Sequence, residues 1–360
     1  MERYIKNKDV SDPFAGNKDL IIWAKKNGCR AVKGYDYDKE YVDNKDVFFN
    51  DSIKSPKKYK FVCTNPPYLH KNKADAQTKE RFFSGKYSCF EDLYQISIYS
   101  MLESEEGILV VPLNFLCAEN SKKIRNIFFD RFEILEINIF TEQVFDDTTY
   151  NVVSFYYRRK KRQPDFNKFQ AVILPERKTA NFIIEKQYGW QLGGAFASKV
   201  RETGNDLGIY RLTEDVIEEG ECEVKLALQN IKDVRNYKIS KENKKALENN
   251  VLFLRAVDSK NGKKLQLEDI RNYGVLGLVG KNTSRSMAHI IFGREMPKNK
   301  QIILMNKFNE EVNRNREKYS SYFLTNFRDN NRKRISFDFT YKLLNYLYMK
   351  DENEIKYKLF

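Results

Sequence analysis

Four consecutive residues, Asn65-Pro66-Pro67-Tyr68, follow the apolar run Phe61-Val62-Cys63-Thr64 and bring together an unusual set of groups. An aromatic amino group is a poor nucleophile because its lone pair is delocalised into the ring. A site that accepts hydrogen bonds from both amino hydrogens favours the pyramidal nitrogen of a transition state. The side-chain oxygen of Asn65 and the backbone carbonyl of Pro66 offer two such acceptors. Pro67 stiffens the turn, so the acceptors are held in place beforehand. Tyr68 then presents a ring on which a planar substrate can stack. The plainer alternative is a proline-terminated strand with a core tyrosine.

Three acidic turns lie upstream. The first, Asp12-Pro13-Phe14-Ala15-Gly16-Asn17, enters a helix, and Gly16 lets the backbone approach a ligand without a Cβ. The second, Gly34-Tyr35-Asp36, ends the next strand, where a carboxylate can accept both hydroxyls of a ribose. The third, Asn50-Asp51-Ser52-Ile53, is placed to read an adenine edge. Each turn alone is weak. At strand-spaced intervals, they outline a nucleoside-shaped site.

Such turns need a frame. DVSD reads as a short first strand and NKDLIIWAKKNG as the helix after it, closed by Gly28. CRAVKGYDYD and KKYKFVCT are further strands, the latter stopped at once by the proline pair. EDLYQISIYSML is an amphipathic helix, GILVVPLNFL a buried strand, SKKIRNIFFDRF a helix, and FEILEINIF and TYNVVSFYYRR two more strands. The alternation predicts an α/β domain over residues 1–160 with a mostly parallel, Rossmann-like sheet. The basic run RRKKRQPDF is the expected boundary. Residues 165–360 then form a second, mixed α+β domain.

Composition narrows the partners. Of 360 residues, 64 are Lys or Arg and 50 Asp or Glu, a net charge of +14, which predicts attraction to a polyanion, nucleic acid first. In the second half KNTSRSM is a donor-rich polar turn, and SYFLTNFRDNNRKRISFDF interleaves cations, Arg332 and Arg334 among them, with aromatics. The five cysteines lack metal-site or disulfide spacing, and the two histidines, His70 and His289, give little material for a metal site. No membrane-length apolar run or signal-peptide pattern is present, so a cytoplasmic protein is expected. HKNKADAQTKERFFSGKYSCFED, after the proline turn, reads either as a loop that closes over cofactor or DNA or as a merely solvated loop.

The first half resembles the N6-adenine DNA methyltransferases of restriction–modification systems, in the subgroup with cofactor motif first, catalytic motif second and recognition domain last. DPFAGNKD resembles their cofactor loop, GYDYD their ribose turn, NDSI their adenine turn and TNPPYL their catalytic motif. VFDDTTYNVVSFYYRRK resembles the last motif, where an aromatic residue, here Phe145 with Tyr150 in reserve, stacks on the target base. The resemblance implies S-adenosylmethionine as cofactor, held by Asp12, Phe14, Ala15, Gly16, Asp36, Asp51, Ser52 and Asn65. It implies Asn65, Pro66 and Tyr68 as catalytic residues and Tyr68 with Phe145 as the pair that sandwiches a flipped adenine. No metal and no covalent intermediate are implied. Duplex DNA is the implied partner, and a cognate restriction endonuclease a further one. At Lys18 that family most often has a second glycine, and its segment before the cofactor loop is longer. Competing readings are methylation of an RNA base or a protein glutamine, or an inactive subunit that only binds nucleic acid.

Overall fold

The computed structural model describes residues 1–146, 151–259, 262, 264–319, 326–328 and 332–358. The chain divides into two compact units, one built chiefly from Met1–Gly194 and the other from Ala195 onward.

The first unit is organised on a nine-stranded sheet of order β3-β2-β1-β4-β5-β7-β6-β8-β9. Its strands are β1 (Asp9–Asp12), β2 (Ala31–Asp36), β3 (Val47–Phe49), β4 (Phe61–Thr64), β5 (Glu106–Pro112), β6 (Phe132–Phe140), β7 (Val152–Arg159), β8 (Phe166–Leu174) and β9 (Lys178–Glu185). Strands β1 to β5 run parallel, and β7 lies antiparallel between β5 and β6. Its helices are α1 (Glu2–Ile5), α2 (Asp19–Lys26), α3 (Ala76–Phe82), α4 (Leu93–Ser100), α5 (Asn114–Cys117) and α6 (Lys122–Phe129). β4 is buried at every position, as a strand covered on both faces must be. This is a Rossmann-like fold.

One feature of the order places a ligand site. β1 pairs directly with both β2 and β4, so the strand order reverses between β1 and β4. In open α/β sheets ligands bind at such a switch point, beyond the carboxyl ends of the strands. Asp12 ends β1 and Thr64 ends β4, and the register Ser11 to Val62 sets the two ends side by side. Gly34 in β2 supports this end of the sheet. A Cβ there would lie 2.5 Å from Ile21 Cδ1 of α2 and 2.9 Å from Ala15 Cβ, so the helix could not pack as closely.

The expected boundary at residues 160–165 falls inside this first unit. The basic run is bound into it rather than left as a linker. Arg159 donates to the carbonyls of Ser104 and Leu102 at 2.9 Å each, and Lys160 lies over the Trp190 ring at 4.4 Å. β8 then pairs in parallel with β6 and extends the sheet.

The second unit is α+β. It holds α7 (Gly194–Glu202), β10 (Tyr210–Arg211), β11 (Glu219–Leu228), β12 (Asn230–Ile239), α8 (Lys241–Asn249), β13 (Leu252–Arg255), β14 (Gln266–Asp269), β15 (Gly277–Val279), β16 (Met287–Ile291), α9 (Lys298–Lys318) and α10 (Phe337–Lys358). Its larger sheets among the described residues are β10-β16-β13-β14 and β12-β11-β15. His289 sits in this core, wholly buried: Nδ1 accepts from Leu278 N at 3.1 Å and Nε2 donates to the Asn250 carbonyl at 2.9 Å. It is therefore a satisfied core residue. Among the described residues, no helix is long and apolar enough to cross a membrane.

Candidate active site

The loops that follow β1 and β4 line one cleft of about 750 Å³, with Asp12, Phe14, Ala15 and Gly16 contributed by the first and Asn65, Pro66 and Tyr68 by the second. Phe145 and Asp146 also line it. Two segments separated by some fifty residues of sequence therefore share one wall, as neighbouring strand ends at the switch point require.

Asp12 is strongly perturbed. Only 2% of it is exposed, and its Oδ1 accepts from Thr64 Oγ1 at 2.5 Å and from Phe14 N at 3.1 Å. Burial pushes its carboxyl up to about 7; those two hydrogen bonds oppose the shift and the charge of Asp36 adds to it. Thr64 is the partner that sequence reasoning missed. Its signal is weak, because a threonine ending a buried strand is ordinary β chemistry.

The turn after Asp12 is fixed by the next strand. Gly16 has φ +44°, its N–H donates to Asp36 Oδ2 at 2.9 Å, and no heavy atom lies within 4 Å of where a Cβ would stand. The backbone thus faces open space at the one residue whose type permits close approach by a ligand. Asp36 Oδ1 accepts from Asp38 N at 2.8 Å, so each carboxylate oxygen is held by one backbone donor and keeps further acceptor capacity. Lys18 adopts φ +69°, the left-handed region in which glycine is cheapest. Its ammonium pairs with Asp43 at 2.7 Å, and it does not line the cleft, whereas Asn17 and Asp19 do.

Asp36, Asp51 and Ser52 do not line the cleft; Asp36 reaches it only through its hydrogen bond to Gly16 N. Asp51 Oδ1 accepts from Ile53 N at 3.2 Å and Lys54 N at 3.0 Å, while Oδ2 pairs with Arg81 at 2.8 Å. Ser52 is buried, and its Oγ accepts from Asn50 Nδ2 at 3.0 Å. Arg81 also stacks its guanidinium over the Tyr37 ring at 3.8 Å and bonds the Tyr37 hydroxyl. It belongs to the segment expected to be a closing loop, which is instead partly helical. α3 starts at Asp75, whose side chain accepts from Thr78 N at 2.7 Å, and Tyr87 donates to the Ile53 carbonyl at 3.0 Å. Capping, Arg81 and a buried tyrosine give this polar stretch a fixed course.

In the Asn65–Tyr68 segment, the Tyr68 hydroxyl lies 2.5 Å from Asn65 Oδ1 and 2.9 Å from the Val110 carbonyl. A single phenolic proton cannot serve both acceptors at once. The hydroxyl thereby orients the Asn65 amide with its oxygen toward Tyr68, a contact that the sequence pattern did not foretell. Among the described residues, none donates to the Pro66 carbonyl. The Tyr68 and Phe145 rings stand 6.4 Å apart with planes at 68°, edge to face. A flat base held between two parallel faces needs one of these rings to turn. Tyr150 lies outside the described residues.

Asp12, Asp19 and Asp146 line the cleft against one cation, Lys73, with Phe14, Leu20 and Val110 as apolar surface.

The chain shares 8% identity with the type IIL restriction-modification enzyme MmeI, whose structure was solved in complex with DNA, over 95% of this chain and 62% of that one, at a TM-score of 0.54. The type IIG restriction endonuclease BpuSI matches at 11% identity over 93% and 57% of the two chains, TM-score 0.46. The methyltransferase subunit of a type I restriction-modification system from Streptococcus thermophilus matches at 15% identity over 46% and 42%, TM-score 0.33. In each case less than two thirds of the other chain is spanned. No curated protein matches by sequence. The first unit has a Rossmann-like fold, and residues 5–145 within it match the model of the Eco57I restriction-modification methylase family.

Proposed function

We propose that the chain is a site-specific DNA methyltransferase that transfers the methyl group of S-adenosylmethionine to the exocyclic amine of an adenine flipped out of duplex DNA, as the modification activity of a restriction–modification system. One observation carries this reading. The Asp12–Gly16 turn and the Asn65–Tyr68 turn, distant in sequence, line a single cleft at the switch point of the sheet.

The division of labour follows from that placement. Bound S-adenosylmethionine supplies an electrophilic methyl group on a positive sulfur. Gly16 leaves room for its approach, Asp12 and Asp19 offer negative charge to its cationic portion, and Asp36, beside the cleft behind Gly16, has acceptor capacity for ribose hydroxyls. Asp51 and Ser52, placed outside the cleft, serve by shaping the neighbouring turn, and Arg81 fastens α3 to that turn. Asn65 Oδ1 and the Pro66 carbonyl accept hydrogen bonds from the two amino hydrogens of the base, which localises the nitrogen lone pair for attack; the methyl–sulfur bond breaks as the nitrogen–carbon bond forms, and the surplus amino proton passes to water. Extruding the base costs a few kcal/mol. Stacking on Tyr68 and a reoriented Phe145 offsets it, at about 1–3 kcal/mol per ring.

The test is incorporation of labelled methyl from S-adenosylmethionine into duplex DNA, compared with transfer RNA and with protein. Label in duplex DNA, recovered as N6-methyladenine, is expected; label confined to RNA or protein would reverse the substrate assignment. Asn65→Ala is expected to abolish transfer while leaving DNA binding intact. Normal turnover in that variant would remove Asn65 from the chemistry.

A further inference from the structure

Away from the catalytic cleft, the second unit holds a smaller recess of about 410 Å³ lined by Gln229, Val257, Arg334 and the turn residues Lys281, Thr283, Ser284, Arg285 and Ser286. No carboxylate and no aromatic side chain lines it. Lys281 and Arg285 are exposed, and among the described residues neither forms an ion pair. Some cations of this unit are paired in place instead: Arg316 with Asp258 at 2.9 Å and Arg271 with Asp269 at 2.6 Å.

The turn that carries these groups is built. It joins β15 to β16, and Arg211 from β10 donates to the Ser284 carbonyl at 2.7 Å and the Asn282 carbonyl at 2.5 Å. Ser284 N donates back to the Lys281 carbonyl at 2.8 Å, and Asn282 Nδ2 donates to Asp215 at 2.8 Å. Arg211 is itself braced, its guanidinium 4.9 Å from the Phe337 ring. An arginine committed to two backbone carbonyls leaves the side chains of the turn to project from a fixed frame, so little conformational entropy is lost when they engage a ligand.

We infer that this recess grips the phosphate backbone of duplex DNA, with Lys281 and Arg285 as the charged contacts and Thr283 and Ser286 as hydroxyl donors. The inference rests on the DNA-methyltransferase reading and assigns the anchoring contacts within it. Cations with short hydroxyl donors suit phosphate oxygens. The absence of an aromatic platform in the lining argues against a single-stranded, base-stacking site. Neutralising a phosphate releases condensed counterions, so each such contact contributes about 0.9 to the slope of log affinity against log salt on duplex DNA.

The experiment measures binding of the full chain to a random-sequence duplex across a salt series, for the native protein and for the double variant Lys281→Ala, Arg285→Ala. Because both side chains are exposed, the fold is expected to stand, checked by an unchanged unfolding midpoint and unchanged S-adenosylmethionine affinity. The variant is expected to bind at least tenfold more weakly at about 0.1 M salt, with a slope smaller by about two. A native protein with a steep salt dependence and a variant that matches it would overturn this assignment alone and leave the function standing. A native protein that binds no duplex DNA at any salt would overturn both.

Discussion

Asp12 joins stability and ligand binding in one residue, and Asp12→Asn separates them. In the folded protein its carboxyl is pushed up to about 7 from an ordinary 3.8, chiefly by burial. A raised value means that the folded state holds the proton more tightly than the unfolded chain. The stability from this group is therefore fully present below pH 3.8 and is lost as pH rises through 7. Taking 7 − 3.8 = 3.2 units at about 1.4 kcal/mol each, the ionised carboxylate costs about 4 kcal/mol at pH 8, an upper bound for a site that can relax. Asn keeps an oxygen for Thr64 and Phe14 and removes the charge. Asp12→Asn is expected to be the more stable protein at pH 8, with the difference vanishing toward pH 4. Trp23 and Trp190 both lie in the first unit, so tryptophan fluorescence during urea unfolding reports the relevant transition.

Ligand binding should move oppositely. A cofactor with a positive sulfur prefers the ionised carboxylate, and the ionised fraction of a group titrating near 7 rises from about one tenth at pH 6 to about nine tenths at pH 8. If only the ionised form binds well, affinity rises about tenfold, or about 1.4 kcal/mol, across that interval. Calorimetric titration with S-adenosylmethionine at pH 6, 7 and 8, in two buffers of different ionisation enthalpy, measures both the affinity and the protons released. Native protein should release a proton at pH 6 and almost none at pH 8, and Asp12→Asn should bind weakly with a flat profile. Native affinity independent of pH, or a variant no more stable than native at pH 8, would refute the reasoning.

Other consequences are narrower. Tyr68→Phe keeps the ring but removes the hydroxyl 2.5 Å from Asn65 Oδ1, so kcat is expected to fall about fivefold, the worth of one hydrogen bond of about 1 kcal/mol, with duplex affinity unchanged; single-turnover kinetics and a binding isotherm check both. Lys18→Gly should leave S-adenosylmethionine affinity within about twofold of native, because the ammonium is held by Asp43 outside the cleft; a larger change by titration would place Lys18 in the site. Burial lowers His289 to about 4 from 6.5, so the folded state binds fewer protons and stability, fully present above pH 6.5, is lost as pH falls through 4. The second unit should lose about 2 kcal/mol between pH 7 and pH 5, read by hydrogen exchange across residues 277–291, and His289→Leu should remove that slope whatever its baseline stability.

How far the sequence revealed the first unit depends on whether the signal was local. β4 and its proline turn were legible because an apolar run ended by two prolines permits little else. β2 ended at Asp36 and β1 at Asp12, where the acidic turns indicated. What was not legible required knowing which strands become neighbours. Thr64 binds Asp12 only because β4 pairs with β1, and the Tyr68 hydroxyl reaches Val110 only because β5 pairs with β4. The boundary was misplaced for a related reason. Basic residues in a row read as solvated linker, whereas Arg159 and Lys160 are taken up by carbonyls and an indole of their own unit.

In the second half, charge pointed to polyanion binding but not to where binding occurs. Net charge counts Arg255, Arg271 and Arg316 equally with Lys281 and Arg285, yet the first three are paired with Glu268, Asp269 and Asp258. A paired cation contributes little far field, since its partner's opposite charge lies a few ångströms away. Only charges without internal partners remain to displace counterions from a duplex, so a nucleic-acid surface is read from pairing rather than from composition. The polar turn KNTSRSM, picked out by its donors, carries two such charges because Arg211 secures its backbone through carbonyls and leaves the turn's own cations uncommitted.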